Sequence, residues 1–406
     1  MNTFLSQWQP IQVVLIILLS ATFLFVLPNI GTSQCFLNTT TNQYETVTGE
    51  PCVNTIITAV PFLRIAPDAR SAGMGDAGLA VSKDANAIHF NASKLVFAEN
   101  RTGLSLTYTP WLSALELKDV YLGYLSGYHQ INEAHAIGLS IRYFSLGETL
   151  FTDENGIPIG NGKSNEVEFN ASFAKKIGKN FSGGFGLKYI YSNLASGLSI
   201  AGTDISAGKS IAMDFSFTYQ TPNLTVGLAA TNLGQKITYT NSINKDFIPT
   251  NLGIGVAWNK YLGETTRLTL TTDINKLMAP TPDPAGADED FDGVPDYKQV
   301  STFKGIFGSF SDAPGGFSEE MRELMFSFGA ELIIKDNITF RTGYFAEHST
   351  KGNRKYFTTG LGYTYKFVTV NGSYLIPSTS QKNPLKDTFR VSVLFNFGQL
   401  DKVKNS

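Results

Sequence analysis

The sequence predicts an all-β fold, an antiparallel transmembrane β-barrel of about fourteen strands, and three observations predict it. Apolar residues recur with a period of two, in stretch after stretch, from Thr102 to Phe397. A strand sends successive side chains to opposite faces, so each stretch carries one apolar face and one largely polar face. The connections between stretches alternate short and long, which is the asymmetry of periplasmic turns and outer loops. The chain is 42% hydrophobic and only 16% charged, with 30 Phe and 17 Tyr, and its mean hydropathy is near zero. A helical membrane bundle would need long apolar runs instead. A soluble sandwich could share the alternation, but it would not sort its loops by parity.

Taken in order, the chain opens with an apolar run from Ile11 to Leu27, ended by Pro28 and followed by Gly31-Thr32-Ser33. That is the pattern of a signal peptide over residues 1–33. No Lys or Arg precedes the run, which leaves an uncleaved anchor as the other reading. Cys35 invites a lipoprotein reading, which the bulk of Gln34 disfavours. Residues 34–60 form a polar extension. Cys35 and Cys52 are expected to form a disulfide, because an exported chain meets an oxidising compartment and no His lies close enough to complete a metal site. Two free thiols are the alternative.

Residues 61–101 are dominated by small side chains, too slight to form a core of their own, and are expected to plug the lumen. Gly73-Met-Gly-Asp-Ala-Gly78 formally matches a dinucleotide-binding fingerprint. That fingerprint needs a buried strand before it and a helix after it, and here Pro67 and Asp68 precede it. The glycines read instead as a tight path through a crowded space.

The barrel is expected over 102–397, with residues 398–406 as a periplasmic tail. Lipid-facing sets are read at Leu104, Leu106 and Tyr108, then at Val120, Leu122 and Tyr124, then at Ile137, Leu139 and Ile141. The series continues to Phe389, Val391, Val393, Phe395 and Phe397, opposite Arg390, Ser392 and Asn396. Residues 147–164 and 276–323 are read as outer loops. The inner faces carry Arg142, Lys188, Arg341 and Arg390 against Glu168, Asp214, Asp273 and Glu331. A selective pore shows one sign in excess, so this balance points to contacts with a plug or to pairing across the wall. A net charge of −2 argues against nucleic acid as a partner.

The stretch Phe62-Leu-Arg-Ile-Ala-Pro-Asp-Ala-Arg-Ser-Ala-Gly-Met-Gly-Asp-Ala-Gly78, with Asp84-Ala-Asn-Ala-Ile-His-Phe-Asn-Ala-Ser-Lys-Leu95, resembles the PorV family. Those are outer-membrane proteins of type IX secretion in Bacteroidetes, distantly similar to FadL-like transporters. Asn91-Ala-Ser-Lys-Leu95 departs from the Asn-Pro-Ala-Gly-Leu usual in FadL-like hatches. The resemblance implies a barrel in the bacterial outer membrane, in contact with its lipid. It would bind a SprA-type translocon barrel and the C-terminal signal domain of secreted proteins, and pass cargo to a surface attachment complex. A transporter for hydrophobic small molecules is the alternative.

The long outer loop holds the candidate sites. Asp288, Asp290, Asp292 and Asp296 alternate before and after Gly293, as hard oxygen ligands for a structural calcium would. A solvated acidic turn reads the same way, and no other cofactor is expected. Phe303, Phe307, Phe310 and Phe317, joined by Trp111 from the first outer loop, either fold over the mouth or dock a partner. Ser318-Glu-Glu is read as a helix cap. The four histidines, His89, His129, His135 and His348, form no triad with the serines around them, so no enzyme is expected.

Overall fold

The computed structural model describes residues 36–38, 43–45 and 55–399, apart from 113, 114, 116, 118, 153–155, 201, 202, 241–244, 283–287, 289, 290, 292, 314, 315 and 379–384. The expected signal peptide, Cys35, Cys52, Asp290 and Asp292 lie outside the described residues.

Period-two alternation becomes fourteen antiparallel strands in one closed ring. They are β1 (Asn100–Pro110), β2 (Val120–Asn132), β3 (His135–Thr152), β4 (Pro158–Lys176) and β5 (Phe181–Asn193). Next come β6 (Gly208–Gln220), β7 (Leu224–Gly234), β8 (Asn251–Tyr261), β9 (Arg267–Leu277) and β10 (Leu324–Ile334). The ring ends with β11 (Ile338–Ala346), β12 (Lys355–Tyr365), β13 (Val368–Pro377) and β14 (Phe389–Gln399). Closure is made by β14 on β1, with Val391 opposite Tyr108, Val393 opposite Leu106 and Phe395 opposite Leu104. A closed ring leaves no strand edge unpaired, which is what a bilayer demands. Along β1 the alternation is sharp: Leu106 is 56% exposed, while its neighbours Ser105 and Thr107 are each 1% exposed.

One strand reverses the expected face. Val120, Leu122 and Tyr124 of β2 point inward and are buried, not lipid-facing. Val120 and Leu122 pack with Phe144 and Ile190 against Phe62 and Leu63, and the Arg142 guanidinium lies 5.5 Å from the centre of the Tyr124 ring, so the lumen holds an apolar island that polarity alone could not announce. The expected loop 147–164 is also largely strand. β3 and β4 run 18 and 19 residues, well beyond the roughly ten that cross a bilayer. Their hairpin continues past the membrane-spanning length.

Residues 55–99 run along the inner face of the wall in short turns. A 3-10 turn (Pro61–Arg64) is followed by α1 (Ala69–Ala72), α2 (Ala87–Phe90) and a second 3-10 turn (Ala92–Phe97). Asp68 caps α1 by accepting from Ser71 N at 2.9 Å. Asn91 closes the other end: its amide donates to Leu79 O (3.1 Å), Phe217 O (3.2 Å) and Thr218 Oγ1 (3.0 Å). The fingerprint glycines serve proximity. Gly75 has φ of +67°, and a Cβ there would lie 2.6 Å from Tyr344 O. On the wall, a Cβ on Gly343 would meet Gly75 N at 2.1 Å. Gly78 N and Leu79 N, which a phosphate loop would aim at its ligand, donate to the Asp273 carboxylate at 2.7 and 2.8 Å. The wall supplies the anion.

Candidate functional site

Two features could carry function: the charged interior and the long outer loop. The eight interior charges split into two arrangements. Across β3–β6, Arg142 lies 3.4 Å from Glu168, and Lys188 lies 3.6 Å from Glu168 and 2.9 Å from Asp214. That chain alternates in sign over four neighbouring strands and mostly satisfies itself. On β10 and β11, Glu331 holds Arg341 at 2.7 Å and also Arg70 of the inner segment at 2.8 Å. Asp273 serves the Gly78–Leu79 backbone, and the Arg390 guanidinium lies 5.8 Å from the centre of the Trp111 ring. Glu331 and Asp273 thus reach residues of the inner segment, while the β3–β6 charges pair along the wall. Buried charges need such partners, because desolvation otherwise outweighs their attraction.

Lys94 sits at the departure from the FadL-like pattern. It is fully buried, and its ammonium donates to Gly78 O and Val81 O. It ties the glycine turn to the Asn91 turn. Nothing in the period of the sequence marks that role.

The outer loop between β9 and β10 contains α3 (Asp296–Gln299), α4 (Thr302–Gly308) and α5 (Phe317–Glu320). Ser301 caps α4, accepting from Lys304 N at 3.4 Å. The N-cap of α5 is Gly316, not Ser318. Glu319 and Glu320 are buried rather than solvated. Lys351 lies 2.7 Å from Glu319 and 2.9 Å from Glu323, Lys276 lies 2.9 Å from Glu320 and also engages Glu323, and Thr281 donates to Glu323 at 2.7 Å. This cluster anchors the loop to the barrel mouth. Beside it, Glu347 accepts from Arg354 Nε at 2.8 Å and from Arg64 at 3.4 Å. Burial alone would raise Glu347, but Arg354 and Arg64 outweigh it and hold the carboxyl below the usual carboxylate range. Sequence reading missed both clusters, because their members lie on separate loops and strand ends.

On that anchored backbone the aromatics point outward. Phe303, Phe307 and Phe317 are 76%, 68% and 80% exposed, and Phe310 is 46% exposed. Phe303 and Phe307 are four apart on α4 and share a face, while Ile306 between them is buried. Trp111 stands apart from this group. It packs half-buried against the Phe62 and Phe144 cluster, edge-on to Phe144 at 6.3 Å. Asp288 accepts from Gly293 N at 2.9 Å, and Asp296 opens α3. His348 bonds Thr350 Oγ1 at 2.9 Å, and His129 and His135 sit at the short-turn end of the wall.

Residues 49–284 match the family model for the type IX secretion system protein PorV. The chain belongs to the PorV family. None of the curated proteins matches it. Among solved structures, the Pseudomonas putida toluene transporter TodX is similar at 12% identity and a TM-score of 0.50, over 82% of this chain and 99% of that one. A TodX mutant monoaromatic hydrocarbon channel aligns at 12% identity and 0.51, over 81% and 99%. A Pseudomonas aeruginosa FadL homologue aligns at 12% identity and 0.44, over 85% and 100%. At such identity the likeness to TodX shows the fold. As a PorV-family barrel the protein is an outer-membrane component of bacterial type IX secretion, and the apolar exterior described above is its lipid-facing surface.

Proposed function

We propose that this barrel is a docking and hand-over component of secretion. It binds the SprA-type translocon barrel and the C-terminal signal domain of exported proteins, and passes cargo to the surface attachment complex. The outer loop is the observation that supports this reading. It presents Phe303, Phe307, Phe310 and Phe317 from a backbone held by buried Lys–Glu pairs. Exposed aromatics on a fixed support are what a protein interface uses as anchors. Residues 55–99 act as a plug in this reading, tied to the wall at Glu331 and Asp273. Trp111, beneath the mouth, supports the plug side more than the docking side.

A path for hydrophobic solutes, the alternative, would need a lumenal chamber of roughly 300 Å³ or more. Two inner cavities among the described residues measure about 100 and 110 Å³ and are lined by groups such as Asp76, Asn232, Arg64 and Glu347. We further propose Asp288, Asp290, Asp292 and Asp296 as calcium ligands of the loop. Chelation should then increase protease cleavage within 276–323, and unchanged cleavage would count against it.

The test of the main reading is affinity purification of the tagged protein in mild detergent. A very large barrel or C-terminal-signal cargo should co-purify, and a Phe303→Ala, Phe307→Ala, Phe317→Ala variant should lose it. Recovery of a free monomer under all conditions would sink the reading. Impaired uptake of long-chain lipids in a deletion strain, with secretion intact, would favour the alternative.

A further inference from the structure

An apolar groove of about 730 Å³, several times either inner cavity, lies on the wall formed by β1–β6. Its floor follows from register. Leu104 pairs with Gly127, Gly127 with Leu139, Leu139 with Ala171, and Ala171 with Leu187. All five lie on the outward parity; Leu104 folds over Gly127, within 2.6 Å of where a Cβ there would sit, and Ala171 recesses the surface between Leu139 and Leu187. Leu139 is 66% exposed, so its side chain stands free beside the hollow.

The periplasmic end of the groove is chemically different. The short turn between β2 and β3 marks that end. His129 lines the groove there, its Nδ1 2.8 Å from Thr102 Oγ1. One step further down, His135 pairs with Lys175, both on the outward parity of Ile137 and Phe173, and the His135 ring stacks on Phe173 at 5.7 Å. Glu133, in the turn itself, is the nearest acid in sequence. Basic side chains thus stand on β2, β3 and β4 below an apolar hollow.

We propose that this groove seats one glycerophospholipid of the periplasmic leaflet. Its acyl chains would fill the hollow over Ala171 between Leu139 and Leu187, and its phosphate would meet His129, His135 and Lys175. A chain in a recessed floor gains contacts that one on a smooth wall lacks. The basic end distinguishes a phosphate-bearing lipid from a neutral one. The inference rests on the outer-membrane location alone and is independent of the docking reading.

The experiment uses the full-length protein in detergent, with heat-modifiable gel mobility to verify a closed barrel in every variant. Dioleoyl phosphatidylglycerol or dioleoylglycerol is added, free lipid is removed by gel filtration, and retained lipid is counted by mass spectrometry. The phospholipid should be retained at least about fivefold better than the neutral lipid, the scale of one surface lysine contact. His135→Glu with Lys175→Glu should remove that preference. Ala171→Trp, which fills the floor without touching the basic end, should lower retention of both lipids. Equal retention of the two lipids, or retention unchanged in the variants, would overturn the proposal. So would an Ala171→Trp variant that sheds a co-purifying protein while its lipid content stays the same, because the groove would then belong to a protein partner.

Discussion

The inner segment and the outer loop are built alike and dressed in opposite ways. Each is a run of short turns with little regular structure of its own, and each is fixed to the wall by buried ion pairs. Arg70 on Glu331 serves the inner segment, and Lys276 and Lys351 on Glu320, Glu319 and Glu323 serve the loop. The inner segment hides its bulk, with Phe62 and Met74 fully buried, while the loop displays Phe303 and Phe317 to its surroundings. The difference teaches that anchoring and exposure were set separately. A loop that merely capped the mouth would bury its aromatics as the inner segment does.

The largest expected effect breaks the inner half of that comparison. Glu331→Ala leaves Arg70 and Arg341 facing each other without their shared carboxylate, which should cost about 3–5 kcal/mol. The temperature of the heat-induced gel shift should fall accordingly. An unchanged shift would mean that the segment does not stabilise the ring.

On the outer side, Lys351→Met removes one of the two lysines that serve the three glutamates, at about 2 kcal/mol. The loss should be local: protease cleavage within 276–323 should rise while the gel shift holds. A matching fall in the gel shift would show the loop to be part of the barrel's stability.

Acid gives a smaller, graded effect. Because the folded pKa of Glu347 is depressed, its stabilisation is fully present above the ordinary carboxylate range. It is lost as pH falls through the folded value. Protection of the 347–354 turn, which Glu347 closes on Arg354, should therefore fade in strong acid, and Glu347→Gln should flatten that dependence. A variant that kept the wild-type pH profile would assign the acid response elsewhere.

The smallest effect sharpens the contrast. Phe303→Ala with Phe307→Ala should change stability by no more than about 0.5 kcal/mol per site, because neither ring is buried. A larger loss would mean that the two rings support the loop rather than present a surface.

Much of the wall was legible in the sequence, because lipid outside and polarity inside give each strand a period of two. β2 was read backwards for a physical reason. Val120 and Leu122 answer to Phe62 and Leu63 and Tyr124 to Arg142, and a strand that faces an apolar neighbour within the lumen loses its polar signature. The charges on the inner faces were legible as a balanced set. Their division was not, since Glu168 and Glu331 look equivalent along the chain and differ only in whether Arg70 reaches them. Lys276, Lys351 and Glu323 went unread because residues on separate loops and strand ends share no spacing. The exposed phenylalanines were legible as residues, but the outward direction of Phe303 and Phe307 depends on Ile306 taking the buried face of α4.

One pair of hydrogen bonds sets a condition on assembly. Ala69 N donates to Ser392 Oγ and Gly75 N to Thr358 Oγ1, each at 2.9 Å, across sequence separations of 323 and 283 residues. Contacts of such range form late, because the intervening chain must first be ordered. An early-synthesised segment whose anchors sit on β12 and β14 has no finished seat until the seam with β1 is sealed. Settling of the interior and completion of the wall are thereby joined into a single late event, and a chain truncated before β14 would lack the anchor at Ser392.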